Sequence, residues 1–127
     1  MNWYRRASNP IESALLDLEI KYSGQLYFQA YQHRNDGIVL STIQVRKDAP
    51  KGTGTAFMTE LSDIADQFGI HIFLTPQSIR SDDKSVKQTT SEGRLRRFYR
   101  RFKFRPNKAT GRFDFPETWN RSPDVKG

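Results

Sequence analysis

Between Gln25 and Phe68 the spacing of apolar residues changes once, and that change limits the folds open to the chain. Leu26, Phe28 and Ala30 alternate with Tyr27, Gln29 and Tyr31, the two-residue period of a strand with one buried face. Asn35-Asp36-Gly37 follows. Asp-Gly accepts the positive φ angles of a two-residue hairpin loop, so the β-branched run from Ile38 to Val45 is the expected return strand. After the polar turn Lys47–Gly52, the residues Phe57, Met58, Leu61, Ile64, Ala65 and Phe68 recur at helical spacing. Glu60, Asp63 and Asp66 take the opposite side of that helix, which runs from about Thr53 to Phe68.

The flanks continue this order. Asn9-Pro10-Ile11-Glu12 reads as a helix start, with Asn as N-cap and Pro at the first helical position. Ile11, Ala14, Leu15 and Leu18 give that helix one apolar stripe, and Ser23-Gly24 ends it. Gly69 closes the second helix, and Ile70–Thr75 is a short strand stopped by Pro76. Gln77–Thr90 is polar and without period, as in a long loop. Ser91–Phe102 is a further helix, striped by Leu95, Phe98, Tyr99 and Phe102. Short strands are expected near Arg112–Phe115 and Thr118–Arg121. The expectation is a single domain over residues 1–127 of mixed α/β (α+β) class, built on a small and largely antiparallel sheet flanked by helices.

Composition narrows the chemistry. With 35% hydrophobic residues the core is modest, but nine Phe and five Tyr bring large area per residue. No cysteine is present, so disulfides and thiolate metal sites are excluded. His33 and His71 are far apart without carboxylates at ligand spacing, so no metal is expected, and His71 reads as structural. No apolar run approaches the roughly 20 residues that span a bilayer. Met1–Arg6 is followed by no signal core. The expectation is a soluble, cytoplasmic protein without a membrane partner. A net charge of +7 favours an anionic partner: nucleic acid, an acidic protein or a phosphate-bearing cofactor.

Two segments carry chemistry. Lys51-Gly52-Thr53-Gly54-Thr55 opens a helix, where unpaired N–H groups and the macrodipole favour an anion. Gly52 and Gly54 let backbone approach the anion, Thr53 and Thr55 add hydroxyls, and Lys47 and Lys51 add positive potential. No Walker A pattern is present, and Phe57 occupies the third small position of a dinucleotide fingerprint. An ordinary strand-to-helix turn fits the segment equally well. From Arg94 to Lys108 there are eight basic residues and no acidic one. Arg94, Arg97 and Arg101 share a face that suits phosphate, of nucleic acid or of a nucleotide-like cofactor. Tyr99 lies on the apolar stripe, either as a core residue or as a proton donor suited to a thiolate, whose free thiol has a pKa of about 8.5 against about 10 for phenol.

Taken together, Val45–Met58, Phe73-Leu74-Thr75-Pro76 and Leu95–Asn107 resemble the GCN5-related N-acetyltransferase (GNAT) superfamily, and most of all its compact phage and bacterial members. The resemblance covers roughly residues 38–121. Two positions depart from its pattern. Ala49 stands where the pyrophosphate loop has Gln or Arg, and Lys103 stands where the second block has Gly. Backbone N–H groups outweigh the side chain missing at Ala49, so cofactor binding is expected to survive. Lys103 costs about 1 kcal/mol or more if its position requires positive φ.

The resemblance implies a splayed strand pair, one strand ending at Val45 and the other spanning Ile70–Leu74, with acetyl-CoA (coenzyme A) in the gap. Ile43, Gln44 and Val45 would pair with pantetheine, and the Val45 N–H would polarise the thioester. Lys51, Gly52, Thr53, Gly54, Thr55, Arg94 and Arg97 would hold the phosphates, and Tyr99 would protonate the departing thiolate. The acceptor is an amine-bearing small molecule, protein or aminoacyl-tRNA. No base is assigned: the strand before the glycine turn offers only Ser41, Thr42 and Gln44, leaving a water chain, Glu92 or Asp114. The alternative is an inactive relative that binds nucleic acid or an acidic or host protein through Arg94–Lys108, as a monomer or homodimer.

Overall fold

A computed structural model of the chain describes residues 9–34, 37–75, 92–106 and 118–124. The first helix, α1 (Pro10–Tyr22), starts as its sequence dictates. The Asn9 side chain accepts the N–H groups of Ile11 and Glu12 at 3.1 and 3.3 Å, and Pro10 sits where no N–H is needed. Leu15, Leu18 and Tyr22 are its buried side.

Strands β1 (Leu26–His33) and β2 (Gly37–Val45) form the antiparallel hairpin, with Leu26 and Phe28 buried and Tyr27 and Tyr31 half exposed. Its last pair is His33 with Gly37, so three residues connect the strands instead of the expected two, and Gly37 belongs to β2. Arg34 takes φ of 54° there, while Asn35 and Asp36 lie outside the described residues.

Helix α2 (Thr53–Phe68) spans the expected residues, and strand β3 (His71–Leu74) follows. Helix α3 (Glu92–Arg100) is shorter than Ser91–Phe102 because its last residues turn off in a C-terminal cap. Strand β4 (Arg105–Pro106) was not evident from the sequence, and β5 (Trp119–Arg121) falls within the expected Thr118–Arg121. The loop Gln77–Thr90 and the strand expected near Arg112–Phe115 lie outside the described residues.

Among the described residues the sheet order is β1-β2-β3-β5-β4, and only β2 and β3 run parallel. A mixed, mostly antiparallel sheet flanked by helices, with one parallel pair at its centre, is a GNAT-like fold. The core lies between α1, α2 and the sheet. Phe57, Met58, Leu61 and Ala65 of α2 are fully buried, with Ile38 and Ile72 beneath them. The Phe57 ring packs 4.7 Å from Phe28 and edge-on to Tyr22 at 5.6 Å. Each such side chain contributes about 1.5–3 kcal/mol by leaving water, which commits α2 to this face of the sheet.

The polar side of α2 differs from expectation. Only Asp63 is solvated. Glu60 accepts bonds from Tyr22 and Lys21 of α1, and Asp66 is held by Arg121 of β5. Burial opposes ionisation of Glu60, but those two hydrogen bonds outweigh it and lower its pKa. His71 is structural as expected, its Nδ1 lying 3.1 Å from the Asn120 amide oxygen across the β3–β5 pair.

Candidate functional site

Strands β2 and β3 pair at Gly37, Ile38 and Val39 and no further. The β1–β2 register shows why. Gln29 faces Thr42 while Ala30 faces Leu40, so Ser41 is an extra residue in β2, a bulge that bends the strand. The bend falls just past the last pair with β3, and β2 leaves its neighbour there. Close approach before the bend depends on Gly37, where a Cβ would stand 2.6 Å from the Phe73 ring.

The gap is a cleft of about 50 Å³ lined by Leu40, Ser41, Thr42, Ile43, Leu74, Thr75 and Tyr99. Beyond the bulge, the Arg46 N–H bonds Gln25 of the β1 side at 2.9 Å. By alternation Gln44 turns its backbone the same way, and Ile43 and Val45 turn theirs toward the open side. Of the three strand residues expected to pair with a ligand, two therefore present free backbone groups, and Gln44 does not.

Tyr99 reaches the cleft from α3. It is 5% exposed, and burial pushes its phenol up to about 12. Among the described residues its hydroxyl has no hydrogen-bond partner. Its backbone is firmly placed, because the Tyr99 carbonyl accepts the N–H groups of both Phe102 (2.9 Å) and Phe104 (3.3 Å), while Lys103 bonds Arg100 at 3.0 Å. This is a Schellman cap with Lys103 at C′, and the Tyr99–Phe104 ring contact at 5.7 Å is its apolar clasp. Helix α2 ends in the same motif with Gly69 at C′, Gly69 bonding Asp66 and Ile70 bonding Ala65.

Gly69 has φ of 64° and Lys103 φ of 73°, so the position where the family pattern has glycine does require the left-handed region. Lys103 offsets part of the strain through Asp124, 2.6 Å from its ammonium, but both side chains are exposed and such pairs contribute little. Lys103→Gly is expected to raise stability by about 1 kcal/mol, read as a higher urea midpoint with unchanged slope.

The glycine turn lies beyond the far end of β2. Gly52, with φ of 88°, forms the N-terminal cap of α2, and no atom lies within 4 Å of where its Cβ would be. Thr53 is buried, and both its N–H (3.2 Å) and its hydroxyl (2.6 Å) bond the Pro50 carbonyl. This corrects the expectation of a free hydroxyl there: Thr53 holds the turn closed. The Ala56 N–H begins the helical ladder on the Gly52 carbonyl. Gly54 and Thr55 stand between, with N–H groups that helix geometry leaves unpaired. Lys47 and Lys51 are exposed beside them, and Ala49 is stitched into the turn by its N–H on the Arg46 carbonyl.

The two sequence blocks meet. A Cβ on Gly54 would lie 3.8 Å from Val45 and 3.9 Å from the Phe98 ring, so the helix start, the end of β2 and α3 converge. Arg94 and Arg97 are exposed on α3. Leu40 escaped the sequence reading and Leu74 and Thr75 were not assigned as site residues, although the phase slip from Ile38 and Leu40 to Ile43 and Val45 marks the bulge. Asp114 lies outside the described residues, as does the side chain of Glu92. Among the described residues no carboxylate lines the cleft, no group of acids and histidines could hold a metal, and no helix is long and apolar enough to cross a membrane.

No protein-family model matches the sequence, and no curated protein does. Among solved structures, the anti-CRISPR protein AcrVA5 is similar in fold, with a TM-score of 0.55 at 17% identity. The likeness covers 77% of this chain and 90% of that one. At that identity it speaks for the fold alone, and it supports the arrangement of helices and sheet described above.

Proposed function

We propose that the chain is an acetyl-CoA-dependent N-acetyltransferase that delivers an acetyl group to a primary amine, with Tyr99 as general acid. The observation that carries this reading is one strand with two ends fit for one ligand. At the bulge, β2 opens a cleft onto a buried phenol. Past its C-terminal end lies a helix start with unpaired N–H groups and open space around Gly52.

Acetyl-CoA supplies an activated acetyl thioester. Gly52, Gly54 and Thr55 would hold its pyrophosphate with Lys51, Arg94 and Arg97 adding positive charge, while the outward backbone of Ile43 and Val45 would pair with the pantetheine arm. Tyr99 keeps its proton at any physiological pH, because burial favours the neutral phenol. The protonated phenol is therefore available to donate to a departing thiolate. With no carboxylate in the described cleft, the amine must arrive already neutral or lose its proton to water.

Titration calorimetry with acetyl-CoA tests the reading. The expected result is one site per chain whose affinity falls as salt screens the phosphates. Absence of binding at millimolar acetyl-CoA would overturn it. A second reading has its own observation: Arg94, Arg96, Arg97, Arg100, Arg101 and Arg105 are all exposed, a surface fit for nucleic acid. It requires steeply salt-dependent binding of nucleic acid that is indifferent to Tyr99.

A further inference from the structure

A cavity larger than the cleft is a groove of about 430 Å³ between α1 and the outer edge of β1, walled by Glu12 and Glu19 on one side and Tyr27 and Tyr31 on the other. Strand β1 is the end strand of the sheet among the described residues. Its backbone orientation can be read from two bonds. Gln25 offers its carbonyl to Arg46 on the β2 side, and the Gln32 N–H leaves the sheet for the Glu12 carboxylate at 3.2 Å. By the two-residue period, Leu26, Phe28 and Ala30 also turn their N–H and C=O groups outward, along the groove. Such an edge is a template for another strand.

The charge of the groove opposes that of the rest of the chain. In a protein of net charge +7, the two charged side chains that wall it are both carboxylates. Glu19 is exposed and has no ion pair among the described residues. Among the described residues, Tyr27 and Tyr31 are two of the three large apolar side chains that stand out into solvent, at 53% and 50% exposure. The bulge residue Ser41 lines both the groove and the cleft.

We propose that this groove docks the acceptor as an extended cationic peptide, which adds to the free edge of β1 and directs a lysine past Ser41 toward Tyr99. Strand addition gives register, the tyrosines cover alternate side chains, and Glu12 and Glu19 select positive charge. The occupant is a peptide and not a nucleic acid, whose phosphates the two carboxylates would repel. Delivery of the lysine rests on the acetyl-transfer reading above. Docking does not.

The test measures docking without acetyl-CoA, by fluorescence anisotropy of a labelled Lys-Val-Lys-Val-Lys-Val peptide on the intact chain. Saturable binding is expected, weakened about tenfold by Glu19→Gln and further by Glu12→Gln, which keeps an acceptor for the Gln32 N–H. Methylating the peptide's alternate amides should also weaken binding about tenfold, since strand addition needs those N–H groups. Tyr99→Phe should leave binding unchanged. No binding, binding indifferent to both glutamines, or equal binding of the methylated peptide would each overturn the docking proposal. If docking holds while acetyl-CoA fails to bind in calorimetry, the transferase reading falls and the groove stands.

Discussion

Replacing Tyr99 with Phe is expected to lower kcat for acetyl transfer by a factor of about 10²–10⁴, the usual contribution of a positioned general acid. Two features make this substitution clean. The ring packs against Phe98 and Phe104, and Phe fills the same volume. The hydroxyl has no partner among the described residues, so its removal strands no donor or acceptor. The unfolding midpoint should therefore hold or rise slightly, and the affinity for acetyl-CoA should not change. Unchanged kcat in a folded, cofactor-binding variant would remove Tyr99 from the chemistry and leave it a core residue. The pH profile gives a second reading. Tyr99 must be protonated to act, and its pKa is pushed up to about 12. The rate should rise with pH as the acceptor amine loses its proton, and Tyr99 should impose no fall until the medium approaches its own pKa.

How much of this was legible in the sequence depended on whether the signal was local. The cap at Asn9, the bounds of α2 and the buried faces of α2 and β1 follow from spacing and a few capping residues, and the structure has them where expected. The splay was less visible, because its cause is a slip of one residue inside β2 that reads in sequence as an unremarkable β-branched run. Glu60, Asp66 and Arg121 were illegible for a different reason. Periodicity places a charged residue on the polar side of its helix, but it cannot say that a distant strand will bring a guanidinium to that side. Lys103 lies between the cases. Its need for positive φ follows from the cap around Tyr99, and a non-glycine residue there shows only that other contacts outweigh the strain.

Asp66→Ala is expected to be strongly destabilising, costing about 3–5 kcal/mol. Arg121 is 4% exposed, and its guanidinium meets both Asp66 oxygens, at 2.7 and 3.1 Å, while its Nε bonds the Phe102 carbonyl at 2.9 Å. The Asp124 N–H adds a bond to Asp66 at 2.8 Å. The Asp66–Arg121 pair thus ties the end of α2 to β5, to the segment after β5, and to the cap that places Tyr99. Removing Asp66 leaves a buried charge without its ion-pair partner, whereas Arg121→Met removes the charge itself and should cost less. In the double variant the two losses should fall well short of adding, which denaturant unfolding of the four proteins would show. The same contact sets an acid limit. Hydrogen bonding from Arg121, partly opposed by burial, lowers the Asp66 pKa below its unfolded value of about 3.9. Its stabilisation is therefore fully present above that value and is lost as pH falls through the lower, folded-state pKa. Wild-type stability should drop in that acid window, and Asp66→Ala, already without the contact, should show a shallower decline. Equal acid sensitivity of the two proteins would move the limit elsewhere, with Glu60, lowered by Lys21 and Tyr22 against its burial, next in line.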